Sequence, residues 1–184
     1  NPAKYNGFKA YGSDGGQMTP EAADQIISYM EDISDIRSVS HINEQEAVSG
    51  GLLEYFGNDF DDIYSDMLSN LVINRDVVLQ NKDMKIVYTP LHGTGNKPVV
   101  KILDKIGFEN VLVVPEQAIP DSNFSTVESP NPEERSALKM AIDLAQSVSA
   151  DLVLATDPDG DRTGLALRDK DGDYIVLTVN QIGI

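Results

Sequence analysis

The chain has 184 residues, of which 41% are apolar, enough material for one large or two small globular domains with buried cores. Its 30 acidic and 14 basic residues give a net charge of −16, which repels nucleic-acid phosphates and anionic lipid and argues against either as a partner. Cys 0 and His 2 exclude disulfides, thiolate zinc sites and thiol nucleophiles, so any metal must sit on oxygen.

No apolar run approaches the roughly 18 residues of a membrane span, and the polar N-terminus does not read as a signal peptide, so a soluble cytoplasmic protein is expected. The turn-rich Tyr5-Asn6-Gly7 precedes a strand-like Phe8-Lys9-Ala10-Tyr11. Thr19-Pro20-Glu21 reads as a helix N-cap, N1 proline and acidic first turn, followed by Ala23, Ile26, Ile27, Met30 and Ile33 at helical spacing. Residues 35–57 are weakly patterned and broken by Gly50-Gly51. Asp59 is positioned to cap a second helix with Phe60, Ile63, Tyr64, Met67, Leu68 and Leu71 on one face. Gln80-Asn81-Lys82-Asp83 reads as a linker and sets the expected domains at 1–82 and 83–184.

Beyond the linker, short apolar runs alternate with amphipathic helices: Ile86-Val87-Tyr88, helix 97–106, Val111 to Val114, helix 133–148, then Leu152 to Ala155. Strands apolar on both faces belong to a parallel sheet covered by helices. Leu165-Ala166-Leu167 and Tyr174 to Leu177, joined through Asp169-Lys170-Asp171-Gly172-Asp173, read as a β-hairpin. The expected fold is α/β, a three-layer αβα arrangement with a mostly parallel mixed sheet, preceded by a partial α/β first domain.

The strongest chemical signal is Thr156-Asp157-Pro158-Asp159-Gly160-Asp161-Arg162, which starts where the Leu152–Ala155 strand ends, at the edge where open α/β sheets bind ligands. Asp157, Asp159 and Asp161, at alternate positions of a tight loop, can turn their carboxylates onto one hard cation, and magnesium fits best. An EF-hand is excluded, because counting from Asp157 puts Arg162 and Arg168 where that loop needs Gly and Glu. The loop is also similar to the strand-D-x-D-G-T nucleophile motif of haloacid-dehalogenase-type phosphatases until Asp161 replaces the threonine, which leaves Asp157 as an alternative nucleophile. Asp169, Asp171 and Asp173 share the spacing but read as a hairpin turn. In Gly93-Thr94-Gly95-Asn96-Lys97-Pro98, proline holds the third glycine position of a dinucleotide fingerprint, so nicotinamide cofactors are not expected; Pro98 suits helix position N1. His92 reads equally as a site residue or a turn histidine. Ser129-Pro130-Asn131-Pro132-Glu133-Glu134 reads as a local helix start, with Asn131 the cap and Pro132 at N1.

Taken together, Asn1 to Lys9, Thr89 to Gly95, Pro130-Asn131-Pro132-Glu133 and Asp157 to Arg162 resemble the α-D-phosphohexomutases, the phosphoglucomutase/phosphomannomutase family, and in detail its bacterial phosphoglucomutase branch. The resemblance implies the later part of the first domain and the whole second domain of a four-domain enzyme. It implies T-A-S-H ahead of Asn1, with the serine carrying a phosphoryl group, Mg2+ on Asp157, Asp159 and Asp161, phosphate contact by Arg162, and Lys9 as a general acid/base. Thr178-Val179-Asn180 stands where the family usually has T-G-N. The implied substrates are glucose 1-phosphate, glucose 6-phosphate and glucose 1,6-bisphosphate, with the fragment alone inactive. A phosphatase using Asp157 and a non-catalytic metal-binding domain are the alternatives.

Overall fold

The computed structural model describes residues 9–183, so the expected turn at Tyr5-Asn6-Gly7 and the start of the strand at Phe8 lie outside the described residues. The chain divides into two compact units, one ending at Gly57 and one running from Asn58. Among the described residues, no helix is long and apolar enough to cross a membrane.

In the first unit, residues 9–11 form no strand: Tyr11 makes a single antiparallel bridge to Gln17. The turn between them is closed by the Gly12 N–H on Gly16 O at 2.8 Å. Helix α1 (Pro20–Glu31) begins as expected, with Thr19 Oγ1 accepting from Ala22 N–H and Pro20 in the first turn. Its apolar stripe is not a core face here, because no α1 residue is buried and Ile27 and Met30 are more than half exposed. The weakly patterned stretch holds a short 3-10 turn, Ile36–Ser38, and α2 (Glu44–Ser49), capped by Asn43.

The second unit opens with α3 (Asn58–Ser69), two residues earlier than the Asp59 cap suggests, and α4 (Arg75–Gln80). After these come β1 (Lys85–Thr89), α5 (Asn96–Ile106), β2 (Asn110–Val113) and the single turn α6 (Pro115–Ala118). The unit ends with α7 (Lys139–Val148), β3 (Leu152–Thr156), β4 (Thr163–Arg168), β5 (Tyr174–Val176) and α8 (Val179–Ile182). The five expected strands form one mixed sheet in the order β2-β1-β3-β4-β5. β1 pairs parallel with β2 and β3, while β4 and β5 extend the sheet as an antiparallel hairpin.

Alternation along the central strands separates the layers. Val87, Val153 and Ala155 are buried in one core with Ala141, Ile142 and Ala145 of α7. Ile86 and Tyr88 are buried at the alternate positions, where the Tyr88 hydroxyl approaches Gly95 at the start of α5. Helices therefore lie on both faces, the three-layer arrangement expected. Pro98 sits in the third helical position rather than N1, where its missing N–H still costs no helix bond.

Residues 58–80, placed by the linker reading before the 82/83 boundary, pack with the sheet unit: Lys101 and Lys105 of α5 pair with Asp62 and Asp66 of α3 at 2.7 and 2.5 Å. This turns the polar Ser65 and Ser69 of α3 inward, and leaves Phe60, Ile63 and Met67 exposed. Helix 133–148 is shorter than expected, because residues 132–138 form turns and the regular helix starts at Lys139. Asn131 Oδ1 does accept from Glu133 N–H at 3.2 Å, but it closes a turn rather than capping a helix.

Candidate functional site

Because β1 has β2 on one side and β3 on the other, the chain reverses direction across the sheet at β1, and the carboxyl ends of β1 and β3 form the switch point at which open α/β sheets bind ligands. The loops leaving those two strands, 89–95 and 157–162, meet there. Thr94 donates to Pro158 O from its backbone N–H at 2.9 Å and from its hydroxyl at 3.2 Å. Glycine is required for so close an approach: a Cβ on Gly93 would lie 2.4 Å from Pro158 Cα, and one on Gly95 would lie 2.6 Å from Thr156 Oγ1. Below them, the buried hydroxyls of Tyr88 and Thr156 are hydrogen-bonded at 2.8 Å. Burial pushes the Tyr88 phenol up to about 12.

Asp157, Asp159 and Asp161 each offer a carboxylate oxygen, and these oxygens lie within 4.8 Å of one another. Asp157 is 1% exposed, whereas Asp159 and Asp161 are exposed. Burial raises the Asp157 carboxyl above its ordinary range and the Asp159 charge adds to the rise, while hydrogen bonds from Arg162 oppose it. Arg162 grips both Asp157 oxygens, its backbone N–H on Oδ1 at 3.0 Å and Nε on Oδ2 at 2.9 Å. Its Nη1 donates to Asn131 Oδ1 at 3.2 Å. Three convergent carboxylates with one guanidinium leave an excess of negative charge, and an all-oxygen donor set of this kind suits a hard divalent cation.

The structure brings Asp157, Asp159, Asp161 and Arg162 together; Lys9 is exposed and belongs to the first unit. Among the described residues the second aspartate triplet makes no such cluster. Asp169 Oδ1 instead accepts the N–H groups of Asp171 and Asp173, both at 2.9 Å, which organises the hairpin turn. His92 is 7% exposed, with Nδ1 2.8 Å from Ile119 O and Nε2 2.8 Å from Thr126 Oγ1. Sequence reasoning missed Asn131 as a partner of Arg162 and Thr94 as a support for Pro158. Only the Pro-Asn-Pro run and the glycines flanking Thr94 hinted at either.

The chain matches the domain II model of phosphoglucomutase/phosphomannomutase (alpha/beta/alpha) over residues 62–172 and the domain I model over residues 1–37. It is 36% identical over 183 residues to phosphoglucomutase of Staphylococcus aureus strain USA300 and 35% identical over 184 residues to that of Staphylococcus saprophyticus. These alignments cover 100% of the chain but only 32% and 33% of the relatives, so the chain spans about a third of their length. Among solved structures, a phosphoglucomutase/phosphomannomutase family protein from Burkholderia thailandensis matches with a TM-score of 0.56 at 23% identity, over 95% of this chain and 32% of that one. A structure from Thermus thermophilus described as a phosphomannomutase gives 0.59 at 20% identity, over 87% and 32%. At these identities the two structures show a shared fold.

Proposed function

Since the chain belongs to the phosphoglucomutase/phosphomannomutase family, we propose that it is the metal-loop segment of a phosphoglucomutase, with Mg2+ held by Asp157, Asp159 and Asp161. The whole protein interconverts glucose 1-phosphate and glucose 6-phosphate through glucose 1,6-bisphosphate and a phosphoserine ahead of Asn1, in the cytoplasm. The observation that carries this reading is the convergence of the three carboxylates beside Arg162 at the carboxyl end of β3, next to β1.

Phosphoryl transfer depends mainly on positioning and on neutralising charge. Magnesium, when bound, supplies a divalent charge against the phosphoryl oxygens. Asp157, buried and fixed by two bonds from Arg162, orients the loop. Arg162, anchored by Asp157 and Asn131, presents its remaining guanidinium N–H groups to a phosphate oxygen. A sugar hydroxyl that attacks phosphorus must lose a proton, and Lys9 is the group proposed to take it and return it in the reverse step. The engagement of both Asp157 oxygens by Arg162 disfavours Asp157 as a nucleophile.

The test is to label the protein containing this chain and the residues before it with phosphoryl-labelled glucose 1,6-bisphosphate, then treat it with hydroxylamine. A hydroxylamine-stable label on a serine immediately before Asn1 is expected. A hydroxylamine-labile label that disappears in Asp157→Asn would overturn the mutase reading in favour of the phosphatase.

A further inference from the structure

We infer that His92 is a positioning residue for the 157–162 loop, acting through the 89–95 loop. The inference rests on the reading of 157–162 as the metal loop.

Leu91 and His92 both adopt left-handed backbone, with φ of 48° and 65°. Side-chain-bearing residues occupy that region at a cost of roughly 1–2 kcal/mol each, so something must hold them there. Two bonds from their backbone N–H groups do so: Leu91 N–H donates to the Thr89 side-chain Oγ1 at 3.1 Å, and His92 N–H donates to Gln117 O at 2.8 Å. The imidazole adds two more. Ile119 O can only accept, so Nδ1 carries the hydrogen between them. Nε2 is hydrogen-bonded to Thr126 Oγ1 at 2.8 Å, and the same oxygen accepts from Gln117 Nε2 at 3.1 Å. The ring is thus pinned between two points of the 117–126 segment and lies edge-on to Phe124, with ring centres 6.2 Å apart.

One residue after His92, Gly93 presses on Pro158, and Thr94 then donates twice to Pro158 O. A continuous set of contacts therefore runs from Thr126 through His92 and Thr94 into the loop bearing Asp157 and Asp159. A histidine that merely filled space would not need both ring nitrogens paired and its own backbone held in a strained region beside that loop.

The experiment uses the whole chain and two readouts. One is amide hydrogen exchange at Thr94 and at Arg162, whose N–H is held by Asp157 Oδ1; the other is Mn2+ affinity by electron paramagnetic resonance. Thr126→Val removes the hydroxyl without touching His92, Thr126→Ser restores it, and His92→Asn keeps a residue that tolerates left-handed backbone. Thr126→Val and His92→Asn are expected to speed exchange at both amides by about fivefold or more and to weaken Mn2+ binding by about threefold to tenfold. Thr126→Ser should behave as wild type, and exchange at Val87 and Val153 should be unchanged in every variant. Unchanged exchange at Thr94 and Arg162 in both disruptive variants would overturn the inference and leave His92 a packing residue. If wild type and Asp159→Asn bind Mn2+ alike, the metal reading fails, while the amide exchange still decides whether His92 holds the loop.

Discussion

Replacing Gly93 by alanine should damage the second unit at one contact. The added Cβ would lie 2.4 Å from Pro158 Cα, 2.6 Å from its O and 2.8 Å from its C, all backbone atoms that no rotamer change can move aside. Carbon atoms prefer separations of about 3.5–4.0 Å, so the loops must part by about 1 Å. Overpacking of this kind costs about 1–3 kcal/mol. Separation also stretches the two bonds from Thr94 to Pro158 O, at 2.9 and 3.2 Å, each worth about 0.5–1.5 kcal/mol. The expected loss is about 2–6 kcal/mol, a large share of the roughly 5–15 kcal/mol that holds a domain folded. Urea unfolding followed by the NMR amide signals of Val87 and Val153 reports the sheet unit specifically. Gly183→Ala is the control, because its Cβ would meet nothing nearer than Val179 O at 3.5 Å and should shift stability by less than about 0.5 kcal/mol. A Gly93→Ala loss as small as the control's would refute the claim that the two loops are locked together by backbone contact.

Arg162→Gln should destabilise the unit by about 1–3 kcal/mol at pH 7 by leaving the buried Asp157 carboxylate without its counter-charge. Because the Asp157 carboxyl is raised in the folded protein above its ordinary 3.8, its ionisation opposes folding as pH rises from that value through the raised one. The mutational loss should therefore shrink between pH 7 and pH 4, measured by urea unfolding at each pH. Tyr88, pushed up to about 12 against an ordinary 10.0, largely keeps its proton while the unfolded chain loses its own, so stability should fall by about 2 kcal/mol as pH rises from 10 to 12. Tyr88→Phe should remove that part of the alkaline loss in the same unfolding series. In the full-length enzyme, Lys9→Met should lower kcat about a hundredfold or more in a coupled glucose 6-phosphate assay without altering the circular dichroism spectrum.

The sheet was legible because its information is local. Ile86-Val87-Tyr88 and Leu152 to Ala155 are apolar on both faces, and that pattern has few uses other than a covered central strand. The convergence of the Asp157, Asp159 and Asp161 carboxylates was legible for the same reason, since the three lie within five consecutive residues. Other readings failed where the outcome depends on distant residues. Periodicity gave α3 an apolar face, but Lys101 and Lys105 of α5 hold the opposite face through Asp62 and Asp66, so the serines turn inward. Asn131 carried a helix-capping signal, yet its Oδ1 serves a turn and a guanidinium 31 positions away. Thr94 gained its role only when β1 and β3 became neighbours, a pairing that no local pattern encodes.

Everything proposed for the 157–162 loop depends on Asp157, Asp159 and Asp161 holding one divalent cation. Isothermal titration calorimetry of the chain with Mg2+ at pH 7, wild type against Asp159→Asn, addresses this with the metal as the only added component. Asp159 is exposed, so its amide analogue should leave the fold unchanged. One Mg2+ should bind per wild-type chain, with an affinity at least about tenfold weaker in Asp159→Asn. Equal affinities in the two proteins would contradict the metal site.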